Sequence, residues 1–262
     1  MLARGDAVRQ TNVTHAPKLS VCIPAYGMNG QGAAFLAESF ARLAEQDLAG
    51  FEVVVSDQCE DDAIARLCAD WQARLPLRRV DFADGPRQAS ANTNNAMRAA
   101  RGEIVKILFQ DDLLNGPDAL GRIVAGFGAT TTWLLCGSDV TRTGAPLGRA
   151  MVPRMHPQIR FGRNTVSSPS VLAMRRTARL DFDETLIWLM DVEMFHRLNA
   201  TYGAPAVVPE PLVLNRLHPG QVSATVTPVL RRSELNYVRE KYKSEERFRD
   251  RFSFWHQIWK AR

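Results

Sequence analysis

Residues 102–112 read GEIVKILFQDD, an apolar run (Ile104, Val105, Ile107, Leu108, Phe109) that stops at two adjacent carboxylates, Asp111 and Asp112. Burial stabilises such a run as an interior strand, whereas neighbouring acids at its end belong in water or against a cation. In open α/β sheets, ligands sit at the carboxyl ends of strands. Carboxylate oxygens placed there suit Mg2+ or Mn2+, which share their coordination with waters and phosphate oxygens. A solvated Asp-Asp turn that only ends the strand has the same residues, so on the dipeptide alone both readings stand.

Other residues have chemistry to offer. Asp57 closes a second apolar run, FEVVVS at 51–56, and Asp61 lies where a carboxylate caps the next helix. Asp191 and Glu193 open an expected helix after Trp188, a place where acids are stabilising in any protein. Arg87 and Gln88 stand just before the Ala-rich stretch that holds Asn92 and Asn94, and helix N-termini bind phosphates readily. GMNGQG at 27–32 lacks the Gly-Lys-Ser/Thr of a P-loop and the glycine order of a dinucleotide fingerprint, so it reads as a flexible loop. His218 sits in RLHPG.

The elements that must position these groups alternate through the first half. Strands are expected at 19–23, 51–56, 77–82 and 104–109, and helices at 33–44, 62–74 and 89–100. This order predicts an α/β fold with a mostly parallel sheet and right-handed crossovers. Further on, a helix at 118–127, a strand at 131–141, a turn at 143–146, a helix at 191–202 and a strand near 211–216 are expected. Residues 153–170 mix Pro, Gly, Asn, Ser and Arg without periodicity and read as a functional loop. From Pro228 onward one or two amphipathic helices are expected.

Composition bounds the rest. The chain has 262 residues, 45% hydrophobic and 23% charged, ordinary globular usage with room for a sizeable core. No apolar run approaches the ~18–20 residues that span a bilayer. Residues 1–17 lack the apolar stretch of a secretory signal and read as a flexible polar lead-in. Cys22, Cys59, Cys68 and Cys136 have no CxxC spacing, which fits a reducing, cytoplasmic setting. The net charge of +5 admits nucleic acid, an anionic membrane surface or a phosphorylated substrate. No nucleic-acid-binding signature accompanies it, so nucleic acid is not an expected partner. Basic residues concentrate at 231–262, interleaved with Tyr237, Tyr242, Phe248, Phe252, Phe254, Trp255 and Trp259. That composition suits peripheral contact with an anionic membrane, or packing against the main domain or a second copy.

LSVCIPAY (19–26), EVVVSDQCEDD (52–62), the 92–112 stretch, WLMDVEMFHRL (188–198) and LNRLHPGQVSA (214–224) together resemble family 2 glycosyltransferases of the GT-A fold. The resemblance runs from 18 to 224, leaving 225–262 as a helical extension. It implies a nucleoside-diphospho-sugar donor, a UDP-sugar being favoured, and a saccharide or lipid-linked hydroxyl acceptor, in surface polysaccharide or glycolipid synthesis. Pro24, Ala25 and Tyr26 would pack on the base, with Asp57 bonding base or ribose, and Arg87, Asn94 and Asp111 completing the donor site. Asp111, supported by Asp112 and joined by His218, would hold Mn2+ or Mg2+. Asp191 would be the general base of an inverting transfer. The chain departs from the family's usual pattern at Ser56 and Phe109, where acids are common, and at Thr93, where Arg is common. Nucleotidyl transfer and a non-catalytic binding or scaffolding role on the same fold are the alternatives.

Overall fold

The computed structural model describes residues 16–82, 85–221 and 225–261. The expected lead-in, up to position 15, and the expected domain boundary at 224 lie outside the described residues. One eight-stranded sheet organises the chain, in the order β3-β2-β1-β4-β7-β6-β8-β5. β1 (Leu19–Ala25), β2 (Phe51–Asp57), β3 (Leu77–Asp81) and β4 (Ile104–Ile107) run parallel. They are linked by α1 (Gly32–Ala44), α2 (Ala63–Trp71) and α3 (Ala89–Ala99). Every residue of β1 and β4 is buried, as both faces of a helix-covered parallel strand must be. In β2, Val53, Val54 and Val55 are fully buried, each contributing about 1.5–2 kcal/mol of apolar transfer. α1 turns Leu36, Phe40 and Leu43, at i, i+4 and i+7, into the core.

Beyond β4 the sheet changes direction. The chain continues through β5 (Leu113–Leu114), α4 (Ala119–Ala125), β6 (Trp133–Thr141), β7 (Leu172–Arg175), α5 (Met190–Tyr202) and β8 (Ala206–Arg216). β7 is antiparallel to both β4 and β6, β8 is parallel to β6, and β5 is antiparallel to β8. β7 was not expected, because its four residues, LAMR, carry no β-branched signal and follow a loop rich in Ser and Pro. β8 begins five residues earlier than the apolar pattern suggests. Pro209 and Pro211 mark it as broken, yet it pairs across a bulge at Gly137 that accommodates them.

The C-terminal segment forms two helices, α6 (Pro228–Lys241) and α7 (Phe248–Lys260). Leu235, Val238, Tyr242 and Phe254 join the same hydrophobic cluster as the sheet. β1 lies between β2 and β4, so the connections leave it toward opposite sheet edges. The carboxyl ends of β1 and β4 thus border a topological switch point, where a crevice opens.

Candidate functional site

A cleft of about 650 Å3 occupies that crevice. Its floor is the end of β4. Asp111 Oδ2 lies 2.9 Å from His218 Nε2. Asp112 is buried: Oδ2 accepts from the Ser170 hydroxyl at 2.6 Å, and Oδ1 accepts from the Arg216 backbone N–H at 3.1 Å. Burial, then the neighbouring Asp111 charge, push the Asp112 carboxyl up to about 7. Arg216 also donates from Nε to the Asp111 carbonyl at 3.0 Å and pairs with Glu38, so one arginine clamps the acidic turn from both sides. Beneath it, the fully buried Lys106 donates to the Ser170 carbonyl, and burial holds its pKa below the usual lysine range.

The opposite wall carries Asp191, in the first turn of α5. Its Oδ2 accepts from Asn164 Nδ2 at 2.9 Å and its Oδ1 from the Val192 N–H at 2.7 Å. Burial pushes this carboxyl up to about 7, against the lowering effect of its backbone hydrogen bonds. Asn164 does more than touch Asp191. Its Oδ1 accepts from the Val166 and Ser167 N–H groups, and its amide also donates to the Ser167 carbonyl. Ser167 has φ +121°, a costly backbone for any L side chain, and its hydroxyl is held by Ser138 and Asn215. The approach to α5 is fixed from α6. The buried Glu234 carboxylate accepts backbone N–H groups of Ile187 (2.8 Å), Trp188 (3.0 Å) and Leu189 (2.8 Å). These residues lead into α5, whose N-cap is Leu189. Glu193 is fully buried and spent on Arg197, Lys241 and Tyr242, so it fastens α5 to α6.

At the end of β1, Pro24 and Tyr26 line the cleft, whereas Ala25 does not. The pleat turns the Ala25 side chain inward, and its carbonyl is taken by Asn92 Nδ2 and the Gln58 N–H. Gln110 Oε1 accepts the Tyr26 N–H at 2.6 Å and its amide donates to the Gly32 carbonyl. A side chain at Gly32 would overlap the Tyr26 carbonyl, which accounts for the last glycine of GMNGQG. Asp57 is not on the cleft wall: Oδ2 pairs with Arg79 at 2.9 Å and Oδ1 accepts the Cys59 N–H. Its neighbour Gln58 is, and Gln58 Oε1 is buried without a hydrogen-bond partner, as is Asn92 Oδ1. Arg87 borders the cleft, exposed and paired with Glu60. Asn94, expected among donor contacts, faces the other way. Two residues along a helix are about 200° apart, so Asn92 meets the cleft while Asn94 is buried against Phe182 and Glu184.

The sequence profile of glycosyl transferase family 2 matches residues 20–182, more than half of the chain. The chain belongs to glycosyl transferase family 2. Among solved structures, S. aureus TarS (residues 1–349) in complex with UDP-GlcNAc is similar at TM-score 0.67 and 20% identity, covering 84% of this chain and 65% of that one. The mannosyltransferase PcManGT of Pyrobaculum calidifontis, in complex with GDP-Man and Mn2+, is similar at TM-score 0.60 and 20% identity, covering 89% and 66%. Both share the GT-A fold. The uncharacterized protein y4gI of Sinorhizobium fredii is 32% identical over 111 residues, which are 42% of this chain and 12% of that protein. The chain thus spans about an eighth of that curated relative and just under two thirds of each solved structure.

The family is named for sugar transfer. The residues at the β4 end also fit a divalent ion. An imidazole nitrogen and a carboxylate oxygen converge there, leaving the remaining positions to diphosphate oxygens and water. Asp112 supplies no third ligand, since its oxygens are engaged by Ser170 and the Arg216 N–H. Among the described residues, no three His, Cys, Asp or Glu side chains converge on one point. Sequence reasoning did not single out Asn164, Ser167, Asn215, Gln58 or Glu234 as site residues. Asn164 and Ser167 lie in the aperiodic 153–170 segment, which was the one available signal.

Proposed function

We propose that this chain is an inverting glycosyltransferase that moves a sugar from a nucleoside-diphosphate donor, a UDP-sugar being favoured, to a hydroxyl of a saccharide or lipid-linked acceptor, in surface polysaccharide or glycolipid synthesis. The observation that carries this reading is one cleft with a carboxylate–imidazole pair at its floor and, on its wall, the Asp191 carboxylate held by Asn164. Asp191, deprotonated, takes the acceptor hydroxyl's proton as that oxygen bonds to the anomeric carbon. The bond from that carbon to the diphosphate breaks on the opposite face, which inverts the configuration. Mn2+ or Mg2+ held by Asp111 and His218 would neutralise charge on the leaving diphosphate. Arg87 adds positive charge near the same groups. Pro24 and Tyr26 offer a face to the base, and the unpartnered Gln58 Oε1 accepts an N–H such as that of uracil N3.

Calorimetric titration with UDP and GDP, with and without Mn2+, tests this. The expected result is nucleoside-diphosphate binding that Mn2+ strengthens by at least about tenfold in the intact chain and leaves unchanged in Asp111→Asn. No nucleoside diphosphate bound under either condition defeats the proposal. Donor binding with neither transfer nor donor hydrolysis returns the chain to the non-catalytic alternative.

A further inference from the structure

α7 has two apolar faces, and only one is covered. The inner face holds Phe254, buried edge-to-face against Phe161 with ring centroids 6.1 Å apart, and Asp250, paired with Arg160 at 2.9 Å. Arg239 lies over the Phe254 ring at 4.6 Å, so the helix is fixed firmly to the body. The outer face carries Phe248, Phe252, Trp255 and Trp259, at i, i+4, i+7 and i+11, a single stripe along the helix. They are 86%, 76%, 59% and 61% exposed. Four large aromatics aligned in water mark an interaction surface.

The charge around the stripe identifies the partner. Arg247, Arg249, Arg251, His256 and Lys260 are exposed around it, while the helix's one acid, Asp250, is buried on the other side. Arg251 is held by Glu246, but among the described residues neither Arg249 nor Lys260 has an acidic partner. Two copies meeting stripe to stripe would set these basic rims against each other, with no acid on α7's outer face to receive them. An anionic lipid surface supplies the missing charge, and Trp and Phe favour the boundary between headgroups and acyl chains. We propose that this face of α7 docks the protein peripherally on an anionic membrane surface. The inference is independent of the transferase reading, because its readout is binding.

The test is co-sedimentation of the full chain with vesicles of phosphatidylglycerol and phosphatidylcholine, alongside tryptophan emission. At low salt the chain is expected to pellet with a blue-shifted emission, and binding should fade as salt screens the basic rim. Phe252→Ser with Trp255→Ser should lower partitioning by at least about tenfold. Arg249→Gln with Lys260→Gln should lower it by about tenfold or more. These side chains are solvent-exposed, so an unchanged Tm verifies that the fold is kept. The proposal is overturned if the intact chain stays in the supernatant at low salt, if the aromatic variant binds equally well, or if phosphatidylcholine alone binds it as tightly. A dimer that Trp255→Ser with Trp259→Ser splits, in a chain that ignores vesicles, assigns the stripe to a second copy and likewise overturns it.

Discussion

Replacing Asp191 by Asn separates the chemical role of this residue from its cost to the fold. Burial raises its carboxyl from an ordinary 3.8 to about 7. Between those values the unfolded chain has lost the proton while the folded chain keeps it, so stability falls as pH rises through this window and levels off above about 7. At 1.36 kcal/mol per pH unit the full shift would amount to about 4 kcal/mol. Asn carries no charge, so relative to Asp191→Asn the parent chain should lose about 3 kcal/mol of stability between pH 5 and pH 8. Asp112, raised in the same direction, is present in both chains and cancels in the difference. Denaturant unfolding of the two chains across this range measures it. Turnover moves oppositely: kcat of the parent should fall about tenfold per unit below pH ~7 as the base is protonated. The variant should lose a factor of about 100–10,000 in kcat while donor affinity stays unchanged. A stability difference that is flat with pH refutes the raised proton affinity. Joint loss of donor binding and turnover refutes the general-base role.

Four further substitutions probe the supports of the site. Asp111→Asn and His218→Ala should each weaken Mn2+-dependent nucleoside-diphosphate binding by at least about tenfold with little change in Tm, and unaltered metal-dependent affinity would reduce the acidic pair to a turn. Glu234→Gln replaces an acceptor oxygen with a donor facing backbone N–H groups, for a cost of about 1–3 kcal/mol in thermal unfolding. It also removes a like charge that helps hold the Asp191 carboxyl up, so the acid limb of the kcat profile should move to lower pH; an unmoved limb with an unmoved Tm would sink this reading. Asn164→Ala frees both Asp191 and the strained Ser167, and kcat should drop by about ten- to a hundredfold with donor affinity retained. Equal loss of both would show that Asn164 shapes the donor site instead.

The parallel half of the fold was legible because β1, β2 and β4 are largely apolar and buried on both faces, and α1 shows one apolar stripe. The antiparallel half was not. β7 carries only Leu172, Ala173, Met174 and Arg175, and its pairing with β4 and β6 is set by the sheet edge available to it. The sequence motifs that hold Asp111 and Asp191 do line one cleft, because the first follows β4 and the second opens α5. Asn94 and Ala25 were misplaced by reading a motif as a contiguous patch, when the helical and strand periods send alternate residues to opposite faces. Glu234 could not be found by spacing: its partners lie more than forty residues away, at Ile187, Trp188 and Leu189.

The acids singled out along the chain divide by what surrounds them. Asp57 is neutralised by Arg79 and ordered by the Cys59 N–H, and Asp112 by the Ser170 hydroxyl and the Arg216 N–H. Asp111 and Asp191 line the cleft without a cationic side chain of arginine or lysine against them. The two positions where family 2 usually adds acids hold uncharged residues. Ser56 takes an Asn95 amide at 2.8 Å, and Phe109 contributes apolar wall. A diphosphate brings its own negative charge, and at an effective dielectric near 20 each like charge about 8 Å away opposes it by about 2 kcal/mol. Fewer acids therefore lower the repulsion a donor meets, while the cation site is left with one carboxylate and one imidazole. Under the proposed function, negative charge is confined to two places: Asp111, which would stand beside a cation, and Asp191, which would act as the base.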